Sequence, residues 1–126
     1  MIEEIEINID SNTTVEQLIE IVTEYRQNDN LDKYDSIEEL IKAISVESGE
    51  LLNEITLKNP EYNVIYDTET KIVDENPSPF NRLKIGRELA DVLIYCIALA
   101  SYMDIDITSL VKQKIEYNKR RNRTYE

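Results

Sequence analysis

Four acidic residues of this 126-residue chain stand where carboxylates are costly: Glu47 and Glu50 in "ISVESGELLNEI", residues 44 to 55, and Glu88 and Asp91 in "RELADVLIY". Each pair is spaced i, i+3, so on a helix its members lie about 60° apart and can converge on one point in front of the helix axis. Glu47 interrupts the apolar stripe Leu40, Ile44, Glu47, Leu51, Glu54, whose steps of four and three call for a hydrophobe. Asp91 is the only charged residue from 89 to 100, and no lysine, arginine or histidine follows it by one turn. A buried carboxylate without a partner costs several kcal/mol. If the two helices pack antiparallel, four carboxylates face one another and repel unless a cation neutralises them.

The donor inventory narrows the cation. The chain has no histidine and one cysteine, Cys96, inside the apolar run "LADVLIYCIALA". An all-oxygen site suits magnesium, with manganese as the alternative, and disfavours zinc and softer metals. A di-iron carboxylate bundle is disfavoured too, because such sites use Glu-x-x-His pairs. Cys96 reads as a small buried hydrophobe, and no Gly-rich phosphate loop is present. Any hydrolysis therefore depends on water activated by a metal and a carboxylate. Gly49, between Glu47 and Glu50, costs about 1 kcal/mol of helix propensity against alanine, which is explicable if something approaches the backbone there.

Helices must position these groups, and two glycines and three prolines leave little punctuation for anything else. The first helix is predicted over about 14 to 27, opened by a capping box of Thr13 with Glu16 and carrying Val15, Leu18, Ile19 and Val22 inward. The second opens with Ser36 and Glu39, carries Ile37, Leu40, Ile41, Ile44, Leu51, Leu52 and Ile55, and ends before Pro60. Residues 59 to 80 break the period. "NVIYD" and "KIVD" around "TET" suggest a small β-hairpin insertion, with the N-terminal "EIEINI" as a candidate pairing partner. The third helix runs from about Asn81 to Met103, apolar nearly all round after Leu89. Asp106 or Thr108 caps the fourth, with Leu110, Val111, Ile115 and Tyr117 expected to face inward. The fold class is all-α, a four-helix bundle in one domain over residues 1–126.

Charge bounds the partners. With 26 acidic against 14 basic residues the net charge is -12, which argues against a nucleic acid polymer as ligand. Lys112, Lys114, Lys119, Arg120, Arg121 and Arg123 nevertheless crowd into the last fifteen residues. Lys114, Asn118 and Arg121, at i, i+4 and i+7, share a helix face and could hold phosphate oxygens. The opening "MIEEIEINID" does not read as a signal peptide, a lone cysteine fits a reducing compartment, and the apolar run 89–100 is too short for a membrane core of roughly 30 Å. The expected setting is the cytoplasm, with no membrane partner.

The E-x-x-E of "SVESGELLNEI", the E-x-x-D of "GRELADVLIYCIALASYMDID" and the basic K-x-x-x-N of "KIEYNKRR" together resemble the MazG-like nucleotide pyrophosphohydrolases of the all-α NTP pyrophosphatase superfamily. The resemblance spans residues 36 to 121. It implies a four-helix core completed by dimerisation into a homodimer or homotetramer, with magnesium held by Glu47, Glu50, Glu88 and Asp91. It also implies cleavage of nucleoside triphosphates to a monophosphate and pyrophosphate, with a house-cleaning role against non-standard or surplus nucleotides. Glu47 or Glu50 would orient or deprotonate the attacking water. Lys114, Asn118, Arg121 and Lys33 would contact the nucleotide. The Glu50 to Glu88 interval is longer than in compact members and no tryptophan precedes the second helix; Tyr25, Tyr34, Tyr62 or Tyr66 could take its stacking role. The alternative is a non-catalytic helical dimerisation module whose basic end binds an acidic partner.

Overall fold

The structure, a computed structural model, describes residues 12–56, 66–67, 72–73 and 82–124. Four helices dominate: α1 (Val15–Asn28), α2 (Ile37–Thr56), α3 (Arg82–Tyr102) and α4 (Ile107–Thr124). Between α2 and α3 lie two short strands, β1 (Tyr66–Asp67) and β2 (Ile72–Val73), paired antiparallel with Tyr66 opposite Val73 and Asp67 opposite Ile72. The all-α class and the inserted hairpin both agree with the expectation, and "EIEINI" lies outside the described residues.

The chain divides into two compact units, one within Ile41–Tyr95 and the other made of Thr13–Leu40 and the stretch from Cys96 onward. In the second unit α1 starts one residue later than its first capping pattern suggests. Two overlapping S/T-x-x-E/Q patterns compete at this end, and Thr14 with Gln17 forms the box instead of Thr13 with Glu16. The Gln17 backbone N–H donates to Thr14 Oγ1 at 3.1 Å, and the Thr14 N–H donates to Gln17 Oε1 at 2.8 Å. Two orphan donors are thereby satisfied reciprocally.

With so few glycines, this unit turns its corners on short polar residues. After α1, Asn30 adopts φ 56, the Leu31 N–H donates to the Arg26 carbonyl, and the Asn30 N–H donates to that of Gln27. After α3, Asp104 adopts φ 55, with Ile105 donating to Ala100 and Asp104 to Ser101. Both are Schellman closures, and Asn and Asp tolerate the left-handed region better than other non-glycine residues. Asp106 is the cap of α4: its carbonyl accepts from Leu110 N–H and its carboxylate from Ser109 N–H. The Ser109 hydroxyl donates to the same carboxylate, and this bond first, with the Ser109 N–H second, holds the Asp106 carboxyl below its usual pKa.

Val22, Leu40, Ile97, Ala98 and Ala100 are buried in this unit, and Leu83 in the other. The inward positions expected on α4 are not covered: Leu110, Val111, Ile115 and Tyr117 are each about half exposed. Helical periodicity identifies an apolar face, whereas burial needs a surface to lie against it, and the described residues do not supply that surface here. Val15 and Leu18 on α1 are exposed for the same reason.

Arg26 is the exception among buried side chains. It follows Val22 by four residues on the inward stripe of α1 and is only 7% exposed. Its guanidinium donates to both oxygens of Asp35, at 2.6 and 2.9 Å, and to the Leu31 carbonyl at 3.1 Å. One bidentate pair thus ties the start of α2 to the end of α1 across the loop. Helical spacing alone does not reveal this pair, although an arginine on an apolar stripe is the same kind of signal as Glu47 on its own stripe.

Among the described residues no single helix is long and apolar enough to cross a membrane.

Candidate metal centre

The first unit brings the acidic pairs together. The α2 stripe carries Glu47 inward, and α3 presents Glu88 and Asp91 one turn apart. One carboxylate oxygen from each of these three residues lies within 4.8 Å of the others. Three like charges at that separation are unstable in a protein interior without a proton or a cation between them.

The hydrogen bonding sharpens the point. Glu47 Oε2 and Glu88 Oε2 are both buried, and neither has a hydrogen-bond partner. Burial raises the pKa of Glu47 above its ordinary value, and a hydrogen bond with Glu50 and repulsion from Glu50, Asp91 and Glu88 raise it further. Glu88 is raised by burial and then by repulsion from Glu50, Asp91 and Glu54. Such buried, orphaned oxygens next to one another are the donor set a hard divalent cation requires.

Glu50 is exposed and close enough to the three for its carboxyl group to raise the pKa values of both Glu47 and Glu88. Three of the four expected ligands therefore converge directly, with the fourth at their edge. Glu54 is a further contributor: it lies on the stripe but outside the E-x-x-E spacing, and its charge acts on Glu88. Position i+7 from Glu47 is the signal that places it on this face. Gly49 needs no close approach from this chain's own described atoms, because a Cβ added there meets nothing within 4 Å.

The other expected site residues lie in the second unit. Lys114 and Arg121 are exposed on α4, and the Lys114 ammonium stands 4.5 Å from the centroid of the Tyr117 ring. Asn118 lies between them in sequence, half-buried, and its Oδ1 is buried without a hydrogen-bond partner. Lys33 is exposed on the loop between α1 and α2, 5.4 Å from the ring centroid of the exposed Tyr34.

Residues 35–125 match the family of MazG nucleotide pyrophosphohydrolase domains. The chain belongs to the MazG family. Membership makes it a hydrolase of nucleotide pyrophosphate bonds, with a nucleotide as substrate. The fold is also similar to a solved structure, that of a pyrophosphatase from Archaeoglobus fulgidus, with a TM-score of 0.62 and 28% identity, covering 90% of this chain and 97% of that one. No curated protein matches the chain. In this MazG domain the acidic cluster could bind a metal ion, and α2 and α3 are the helices that build it.

Proposed function

We propose that the chain is a magnesium-dependent nucleoside triphosphate pyrophosphohydrolase, converting ribo- or deoxyribonucleoside triphosphates to the monophosphate and pyrophosphate. The observation that carries this reading is the meeting of Glu47, Glu88 and Asp91 within 4.8 Å, with two buried carboxylate oxygens left unpartnered. Their chemistry fits a hard, oxygen-seeking divalent cation, which suits magnesium and also admits manganese.

In the proposed arrangement Glu47, Glu88 and Asp91 hold the ion, with Glu50 as the fourth carboxylate. When bound, the ion offsets the substrate's phosphate charge and makes a nearby water more acidic. The residues of this chain do the rest. Glu50, exposed beside Glu47, accepts a proton from the attacking water in this reading, and Glu47 orients it. Attack in line at phosphorus releases pyrophosphate as the leaving group. Lys114 and Arg121 bind phosphate oxygens by charge, Asn118 contributes a buried acceptor for a sugar hydroxyl, and Lys33 contacts the nucleotide from its loop. The role proposed with this activity is house-cleaning of non-standard or surplus nucleotides.

The half-exposed apolar residues on α1 and α4 support assembly into a homodimer or homotetramer, which would cover them. The test of function is pyrophosphate release from a panel of ribo- and deoxyribonucleoside triphosphates, with and without magnesium. Turnover of at least one triphosphate, lost on chelation and in Asp91→Asn, is expected. No product from any of them, or full activity in Asp91→Asn, would overturn the reading.

A further inference from the structure

The second unit contains a cleft to which the proposed mechanism assigns no part. It opens between the C-terminal half of α1, the loop after it and the end of α3, and has a volume of about 210 Å³. Val22 and Ala98, both buried, give it an apolar floor. The bidentate Arg26–Asp35 pair forms one wall, and Gln27, Asp32, Ser101 and Tyr102 supply the remaining polar lining.

The charges of this lining select among ligands. Asp32 and Asp35 oppose a single guanidinium, so the cleft carries an excess of one negative charge. Arg26, the one cation present, already donates to Asp35 and to the Leu31 carbonyl. A phosphate, a carboxylate or the polyphosphate of a nucleotide would meet that excess with no cation at liberty to receive it. A cation meets the opposite situation: the Asp32 carboxylate, the Ser101 hydroxyl and the Gln27 amide oxygen are acceptors, and the half-exposed Tyr102 offers an aromatic ring. The apolar floor suits a short alkyl stem. The volume limits the occupant to something the size of one amino-acid side chain.

We propose that this cleft is a binding site for a small organic cation, an ammonium or guanidinium group on a short alkyl stem. The charged head pairs with Asp32, and the stem lies on Val22 and Ala98. The site is independent of the carboxylate cluster, whose residues all lie in the other unit.

Calorimetric titration of the full chain, without magnesium or nucleotide, tests this with butylammonium and butylguanidinium chlorides against butyrate and 1-butanol. Saturable binding of the cations alone is expected. Asp32→Asn should weaken it about tenfold, as for loss of one charge-assisted hydrogen bond. Ser101→Leu, which fills the cleft, should remove it, and Asp91→Asn should leave it unchanged. Absence of saturable binding by either cation, equal binding of butyrate, or unaltered affinity in Asp32→Asn would each overturn the proposal. Asp32 is exposed, so its substitution reads binding and not folding. Because no triphosphate is present, failure here is distinct from failure of the hydrolase reading.

Discussion

The two units treat buried charge in opposite ways. In one, Arg26 and Asp35 neutralise each other through a bidentate contact, and a third hydrogen bond goes to a backbone carbonyl. In the other, Glu47, Glu88 and Asp91 gather charges of one sign and leave two oxygens unpartnered. The first arrangement is complete within the chain and stabilises a loop. The second is unfavourable in isolation and is relieved by a proton or a cation between the carboxylates, so the unmatched charge is the one that points to function.

Substitution should separate these roles. The largest effect is expected for Asp91→Asn, a loss of about a hundredfold or more in kcat/KM in a pyrophosphate-release assay. The same variant should lose the magnesium-induced rise in Tm. Glu88→Gln should likewise inactivate, yet raise the Tm of the metal-free protein by removing a buried repulsion. Arg26→Met should do the reverse, costing about 3 kcal/mol by leaving Asp35 uncompensated, read as a drop in Tm of roughly 10 °C. Arg26→Met with Asp35→Leu should recover most of that loss, because a matched pair can be replaced by apolar groups where half of it cannot.

pH separates the two regions further. Burial and mutual repulsion raise the pKa values of Glu47 and Glu88 in the folded state, so the native protein holds more protons than the unfolded chain above pH 4.5. Metal-free stability should therefore decline as pH rises from 4.5 through the raised values, while the stabilisation by magnesium grows over the same interval. Thermal melts across that range, with magnesium and with chelator, should diverge. Asp106 has the opposite sign: its lowered pKa gives α4 a stabilisation that is present above the ordinary carboxylate range and fades on acidification. The smallest expected effect is at the α1 cap, where Thr14→Ala should cost about 1 kcal/mol and Thr13→Ala less.

Much of this was legible in the sequence for identifiable reasons. The i, i+3 acidic pairs could be placed because the helical period is rigid, and α2 and α3 carry Glu47, Glu88 and Asp91 to a common point. The strand pair was legible from the β-leaning pieces "NVIYD" and "KIVD" on either side of the polar "TET" in the sequence. The α1 cap was misplaced by one residue because two adjacent patterns are chemically equivalent, and only the backbone distinguishes them. The role of Arg26 is not legible in the sequence because its partner lies nine residues away across a loop, beyond the reach of helical spacing. The inward residues of α4 were correctly apolar yet lie uncovered, since a stripe reveals its chemistry and not its neighbour.

The three-carboxylate convergence also acts as a gauge of helix register. Sliding α3 by one residue against α2 turns each of its side chains by about 100° and carries Glu88 and Asp91 away from Glu47. A misregistered chain would then have no place where three oxygens meet. An ion that binds only where they do would select the correctly aligned helices from their slipped competitors, so the atoms proposed to prepare the chemistry would also verify the alignment that makes it available.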